Sequence, residues 1–193
     1  MNVASTDARG RLLAELASGP ARRGYRIAYD LLGTRAEAEE AVQEGLARAC
    51  EQIGDLRDPA AAPAWFLRIV TTVCLRQLRR RRVRRTLFGR FGWLAGERDD
   101  GVETADGGVL SEVIQAAMPT PAPDALQSQE QLAALLHSLD ALSAQQRTAL
   151  VLRYGHDLPV PEVAHLLGVE LATAKTHLVR GLARLRDLME KHR

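Results

Sequence analysis

The chain of 193 residues is 46% hydrophobic and 4% aromatic, with 26 Lys+Arg against 24 Asp+Glu. That balance excludes a disordered tail and suits one or two small domains with aliphatic cores. Its net charge of +2 hides an asymmetry: residues 1–96 carry 17 Arg and 10 acids, 97–130 one Arg and 8 acids, and 131–193 8 basic and 6 acidic residues. Such a split is expected when separate segments meet separate partners, one of them polyanionic.

Two cysteines are too few for a disulfide framework or a zinc site, so a reducing compartment without structural metal is expected. No apolar run approaches the roughly 18 residues of a membrane span, and the start lacks the features of a signal peptide. The sequence therefore predicts a cytoplasmic protein with no membrane insertion.

Helical periodicity and helix-start signals recur while strand signals are scarce, which predicts an all-α protein. Residues 25–32 read as the end of a first helix closed by Gly33, and Thr34 with Glu37 forms a capping box for the next. That helix is predicted to reach about Ile53. Val42, Leu46, Ala49 and Ile53 share its core face, and Glu39, Glu40, Gln43 and Glu44 lie on another. An exposed acidic face of this kind suits a basic protein partner, and equally an ordinary solvated surface.

Pro63 suits the first turn of a further helix with Phe66, Ile69, Val70, Val73 and Cys74 on its apolar side. Arg68, Thr72 and Arg76 run along the opposite side. Between 76 and 85, seven of ten residues are Arg, a density no core can hold. Cys50 and Cys74 both read as buried core thiols.

From about 86 to 127 the pattern breaks at repeated glycines and at Pro119, Pro121 and Pro123, which reads as a long flexible linker. The predicted organisation is thus a first helical domain over 1–85, a linker over 86–127 and a second helical domain over 128–193. In the second, helix resumes near Ser128, and Ser143 with Gln146 caps a helix to about Tyr154. A short helix over 159–167 stops at Gly168, and a last one over 171–191 places Ala174, Leu178, Leu182 and Leu185 inward.

Ala164, Gly168, Ala174 and Leu178 have the spacing of a helix-turn-helix. Its second helix then exposes Thr173, Lys175, Thr176, His177, Arg180 and Arg184, a set able to meet phosphates and major-groove base edges. Pro159 and Glu170 stand where Ser or Thr ordinarily caps such helices. No nucleophile with a base, no ligand pair at metal spacing and no phosphate-cradling glycine loop is found, so neither an enzyme nor a cofactor is expected.

Together these residues resemble the sigma-70 family of bacterial transcription initiation factors, in its small two-domain extracytoplasmic-function (ECF) group. The resemblance is carried by LLGTRAEAEEAVQEGLARA at 31–49, APAWFLRIVTTVCLRQLRRRR at 62–82 and the helix-turn-helix of the second domain. It implies two helical domains, a sigma region 2 bundle and a sigma region 4 helix-turn-helix. It also implies core RNA polymerase as partner, with Glu40, Gln43 and Glu44 against the clamp region of its beta-prime subunit, promoter DNA as ligand, and an anti-sigma factor as inhibitor.

In that reading the melted minus-10 strand meets Trp65, Arg68, Thr72, Arg76, Arg79 and Arg80, since single-stranded bases need a flat surface or pocket and cations along the backbone. The minus-35 duplex meets Thr173, Lys175, Thr176, His177, Arg180 and Arg184. The family commonly has Asn where this chain has Thr72 and an acid where it has Arg76. The competing expectations are a helix-turn-helix regulator acting without polymerase, and a sigma-like protein that has lost promoter melting.

Overall fold

The computed structural model describes residues 3–91, 139 and 141–190, with side chains over 9–84, at 139 and over 141–190. Secondary structure among the described residues is wholly helical. The chain divides into two units, Met1–Asp106 and Gly107–Arg193. The side chains of Phe88 and Phe91 lie outside the described residues. So does 92–138, which contains Trp93, the acidic stretch 97–106, the three prolines and the restart of helix at Ser128.

The first unit packs three long helices, α1 (Val3–Leu32), α2 (Arg35–Gln52) and α3 (Ala62–Phe91), each against the other two. Gly33 ends α1 at φ +87, in the left-handed region where glycine bears no Cβ penalty, and its N–H donates to Tyr29 C=O at 2.8 Å. Thr34 then caps α2: its Oγ1 accepts from Glu37 N–H at 3.4 Å and donates to Glu37 Oε2 at 2.6 Å. The expected reciprocal box is thus altered, because the Glu37 carboxylate turns to the Thr34 hydroxyl and to Arg81 of α3.

The core of this unit holds Leu16, Ile27, Leu31, Phe66, Val70 and Val73, all essentially without solvent exposure. On α2 the buried line is Ala38, Ala41, Val42, Gly45 and Ala49, and Leu46, expected inward, is half-buried. Cys74 is buried as expected, whereas Cys50 is exposed. Position 50 is one residue past Ala49, and a step of about 100° carries it off the core line. Two tight turns, Ile53–Asp55 and Pro59–Ala61, lead into α3, with the Asp58 carboxylate accepting from Ala60 N–H at 3.0 Å.

α3 runs to Phe91, past residue 86 where the pattern loses its periodicity. Arginine is among the better helix formers and one interior glycine costs only about 1 kcal/mol, so Gly89 does not end the helix. No helix among the described residues is long and apolar enough to cross a membrane.

In the second unit α4 (Ala144–Leu150) continues as a π-helical turn (Val151–Gly155), followed by α5 (Val160–Leu167) and α6 (Leu171–Glu190). Both halves of the predicted Ser143 box are present: Ser143 Oγ accepts from Gln146 N–H at 3.2 Å, and Gln146 Oε1 accepts from Ser143 N–H at 3.1 Å. Buried Leu150, Val151, Leu152, Val163, Leu166, Ala174 and Leu178 form the core.

On α6 the inward line is Ala174, Leu178 and Gly181, continued by half-buried Leu185. Leu182, expected inward, is 40% exposed. Steps of four and three keep 174, 178, 181 and 185 on one stripe, whereas 182 falls about 100° beyond 181. A β-carbon on Gly181 would stand 3.0 Å from Leu150 Cδ1, so α4 crosses α6 closely at the glycine.

Candidate nucleic-acid interface

The turn between α5 and α6 has the geometry a helix-turn-helix requires. Gly168 sits at φ +66, ψ 37. Its N–H donates to His165 C=O at 3.1 Å and that of Val169 to Ala164 C=O at 3.0 Å, the paired bonds of a Schellman stop. Pro159 precedes α5 with no side-chain cap. Buried Ala164 on α5 and Ala174 and Leu178 on α6 occupy the anchor positions.

Opposite those anchors, Thr173, Lys175, Thr176, Arg180 and Arg184 are exposed and His177 is half-buried. Helical spacing divides them. Thr173, His177, Arg180 and Arg184 line one flank with Thr176 beside them, whereas Lys175 falls on the other flank with exposed Val179 and Leu182. Thr176 Oγ1 donates to Ala172 C=O at 2.9 Å, which leaves its lone pairs for a donor. Burial first, and the Arg180 charge second, push the His177 pKa below its usual value. The imidazole is therefore neutral near pH 7, one nitrogen donating and the other accepting.

In the first unit, Arg68, Thr72, Arg79 and Arg80 are exposed on α3, Trp65 is half-buried and Phe66 is fully buried. Thr72 Oγ1 donates to Arg68 C=O at 2.8 Å, so this hydroxyl too offers an acceptor. Arg76 departs from the exposed side assigned to it: its Nη2 binds Glu44 Oε1 of α2. Steps of four residues drift by about 40° each, and two such steps from Arg68 swing position 76 toward α2.

Arg81 is a second tie between these elements, missed in the sequence. Its guanidinium pairs with Glu37 Oε1, and Nη1 donates to Leu32 C=O at 2.8 Å, fastening the α1–α2 turn to α3. The acidic face of α2 divides in the same way. Glu40 and Gln43 are exposed, while half-buried Glu44 binds both Arg76 and, at 2.8 Å, Arg48 through the same oxygen. The hydrogen bond from Arg76, with the charges of Arg76, Arg48 and Arg80, holds the Glu44 pKa below the ordinary carboxylate value against the opposing effect of burial.

Burial pushes the Cys74 thiol up to about 12, which makes it an inert core residue. Among the described residues no group of three His, Cys, Asp or Glu is placed to hold a metal ion.

Two family profiles match the chain, Sigma-70 region 2 over residues 21–84 and Sigma-70 region 4 over 132–185. The chain is 32% identical over 180 residues to the ECF RNA polymerase sigma factor SigE of Mycolicibacterium smegmatis, covering 92% of this chain and 62% of that relative. It is 28% identical over 162 residues to SigW of Bacillus subtilis, covering 84% and 80%, and 23% identical over 168 residues to SigV of the same organism, covering 86% and 84%. A solved structure of the sigma factor RpoE with the anti-sigma factor NepR, from Bartonella quintana, matches with a TM-score of 0.55 at 22% identity over 93% of this chain and 97% of that one. At that identity the likeness is one of fold.

Proposed function

The chain belongs to the sigma-70 family of RNA polymerase sigma factors, in its ECF group, and from that membership we propose that it binds core RNA polymerase and directs it to promoters. The observation that carries this reading is the presence, in one chain and in order, of a helical unit with a cationic α3 and a second unit with a helix-turn-helix, each matched by its own sigma region. Either alone fits many DNA-binding proteins.

In this reading the domains are 1–85, whose last helix runs on to Phe91, and 128–193, with the tether in the segment between them. Glu40 and Gln43 present an accessible polar edge of α2 to the basic clamp region of the beta-prime subunit, with Glu44 beside them. The exposed arginines of α3, Arg68, Arg79 and Arg80, follow the backbone of the opened minus-10 strand, and Trp65 and Thr72 stand where an unstacked base would lie. On α6 the flank of Thr173, His177, Arg180 and Arg184 enters the major groove at the minus-35 element, with Thr176 alongside and Lys175 reaching phosphate from the other flank.

Catalysis of RNA synthesis belongs to the polymerase and the chain supplies none. An anti-sigma factor is a further proposed partner, as in the Bartonella quintana complex, and the cytoplasm, where polymerase and DNA meet, is the proposed location. Footprinting of promoter fragments with the chain alone, with core polymerase alone and with both tests this reading. Protection of both elements only when both are present is expected. Specific protection by the chain alone would favour a regulator that works without polymerase.

A further inference from the structure

We propose that Arg76 is a positioning residue for the polymerase-facing edge of α2 and makes no contact with promoter DNA. The proposal rests on the assignment of α2 to polymerase and of α3 to the minus-10 strand. It goes beyond that assignment by removing one arginine from the DNA side and giving it work on the other.

Three observations carry it. The Arg76 guanidinium spans 32 residues of sequence to reach Glu44, and its Nε is buried with no hydrogen-bond partner. The Arg76 side chain, 38% exposed, is thus drawn toward α2 and away from the exposed line of Arg68 and Thr72. The Glu44 carboxylate receives Arg48 and Arg76 on the same oxygen, Oε1, a fork that fixes its rotamer. Arg68, Thr72, Arg79 and Arg80 are meanwhile exposed on the same helix, so α3 keeps a cationic surface without Arg76.

The physical consequence runs in two directions. A long acidic side chain that is already ordered loses less rotamer freedom on docking, about 0.5–1.5 kcal/mol less than a loose one. The two ties given for Glu44 both fall on Oε1, and the other oxygen, Oε2, is the one proposed to accept from a basic partner. The Glu44 carboxylate offsets one of the two guanidinium charges it holds, those of Arg48 and Arg76, so Arg76 offers a phosphate less attraction than an arginine without an acidic partner. Swinging Arg76 onto DNA would strip Glu44 of its strongest tie and leave a carboxylate facing the strand.

The test measures, for the full chain, its affinity for core polymerase by competition, and the salt dependence of promoter binding by the assembled complex. The variants are Arg76→Gln, Glu44→Gln, the double variant and Arg79→Gln. Arg76→Gln is expected to weaken core binding roughly two- to tenfold and to leave the salt slope unchanged. The same substitution in the Glu44→Gln background is expected to have no further effect on core binding. Arg79→Gln is expected to lower the slope by about 0.7, the share of one single-strand phosphate contact.

Unchanged core binding by Arg76→Gln, a lowered salt slope in that variant, or a loss that persists without Glu44 would each overturn the proposal. Should Arg76→Gln fail to fold, Arg76→Lys retains a cation with fewer donors, and an intermediate loss of core affinity is expected, with full affinity counting against the proposal. A wild-type chain that does not bind core polymerase at all would instead overturn the assignment on which the proposal rests.

Discussion

A β-carbon on Gly45 would stand 2.8 Å from Val70 Cγ2, so α2 and α3 touch at a point with no room for a side chain. Val70 is fully buried, and a β-branched side chain has little rotamer freedom with which to retreat. Gly24 on α1 faces the same valine, but its β-carbon would lie at an ordinary 3.4 Å. Overpacking of a tight core costs about 1–3 kcal/mol and exceeds the roughly 1 kcal/mol gained in helix propensity. Gly45→Ala is therefore expected to lower the stability of the first unit, whereas Gly24→Ala is expected to be neutral or stabilising by up to about 1 kcal/mol. Urea denaturation of the two variants beside wild type distinguishes these outcomes.

The ties on Glu44 predict a pH dependence of stability. Because its folded pKa lies below its unfolded value, the unfolded chain binds more protons on acidification. The stabilisation is then complete above about pH 4.3, the ordinary glutamate value, and is lost as pH falls through the lowered one. Glu44→Gln should therefore be less stable than wild type at neutral pH and indistinguishable from it in strong acid. Denaturation midpoints recorded across the acid range check this, and a gap that persists at the acid end would contradict it.

His177 shows the opposite chemistry with the same slope. Burial and the Arg180 charge depress its folded pKa, so the unfolded chain takes up the proton first as pH falls through about 6.5. Stability of the second unit should drop below that pH, and His177→Gln should flatten the drop. Thermal melts of both proteins between neutral and mildly acidic pH provide the measurement.

Arg180 and Lys175 lie on different flanks of α6 and are expected to fail differently. Arg180→Ala should weaken binding of the assembled polymerase complex to minus-35 duplex by about 1–3 kcal/mol and relax discrimination at one base position. Lys175→Ala should weaken binding similarly across sequences and lower the salt slope by about 1. Titrations against a set of singly substituted duplexes at several salt concentrations separate the two.

Local signals were legible in the sequence. Gly33, Gly168, Thr34 and Ser143 mark helix ends through chemistry that acts within a turn or two, and the structure has the helix ends where they stand. Packing between helices was less legible. Hydrophobic periodicity favours Leu46 and Leu182 over their glycine neighbours, yet Gly45 and Gly181 occupy the close crossings because neighbouring side chains approach their backbones there. The ties made by Arg76 and Arg81 were invisible because both reach across to helices or turns more than 30 residues away, and no short-range spacing signals them. A run of arginines read as one basic surface is thus divided between partners within the fold and groups that face solvent.

Mapping transcript starts decides whether this chain directs RNA polymerase to where it begins. Purified chain and core polymerase would be incubated with fragmented genomic DNA and nucleotides, with core polymerase alone as the control. Discrete starts that share an upstream sequence pair and need the added chain are the expected result. The same scattered starts with and without the chain would contradict it.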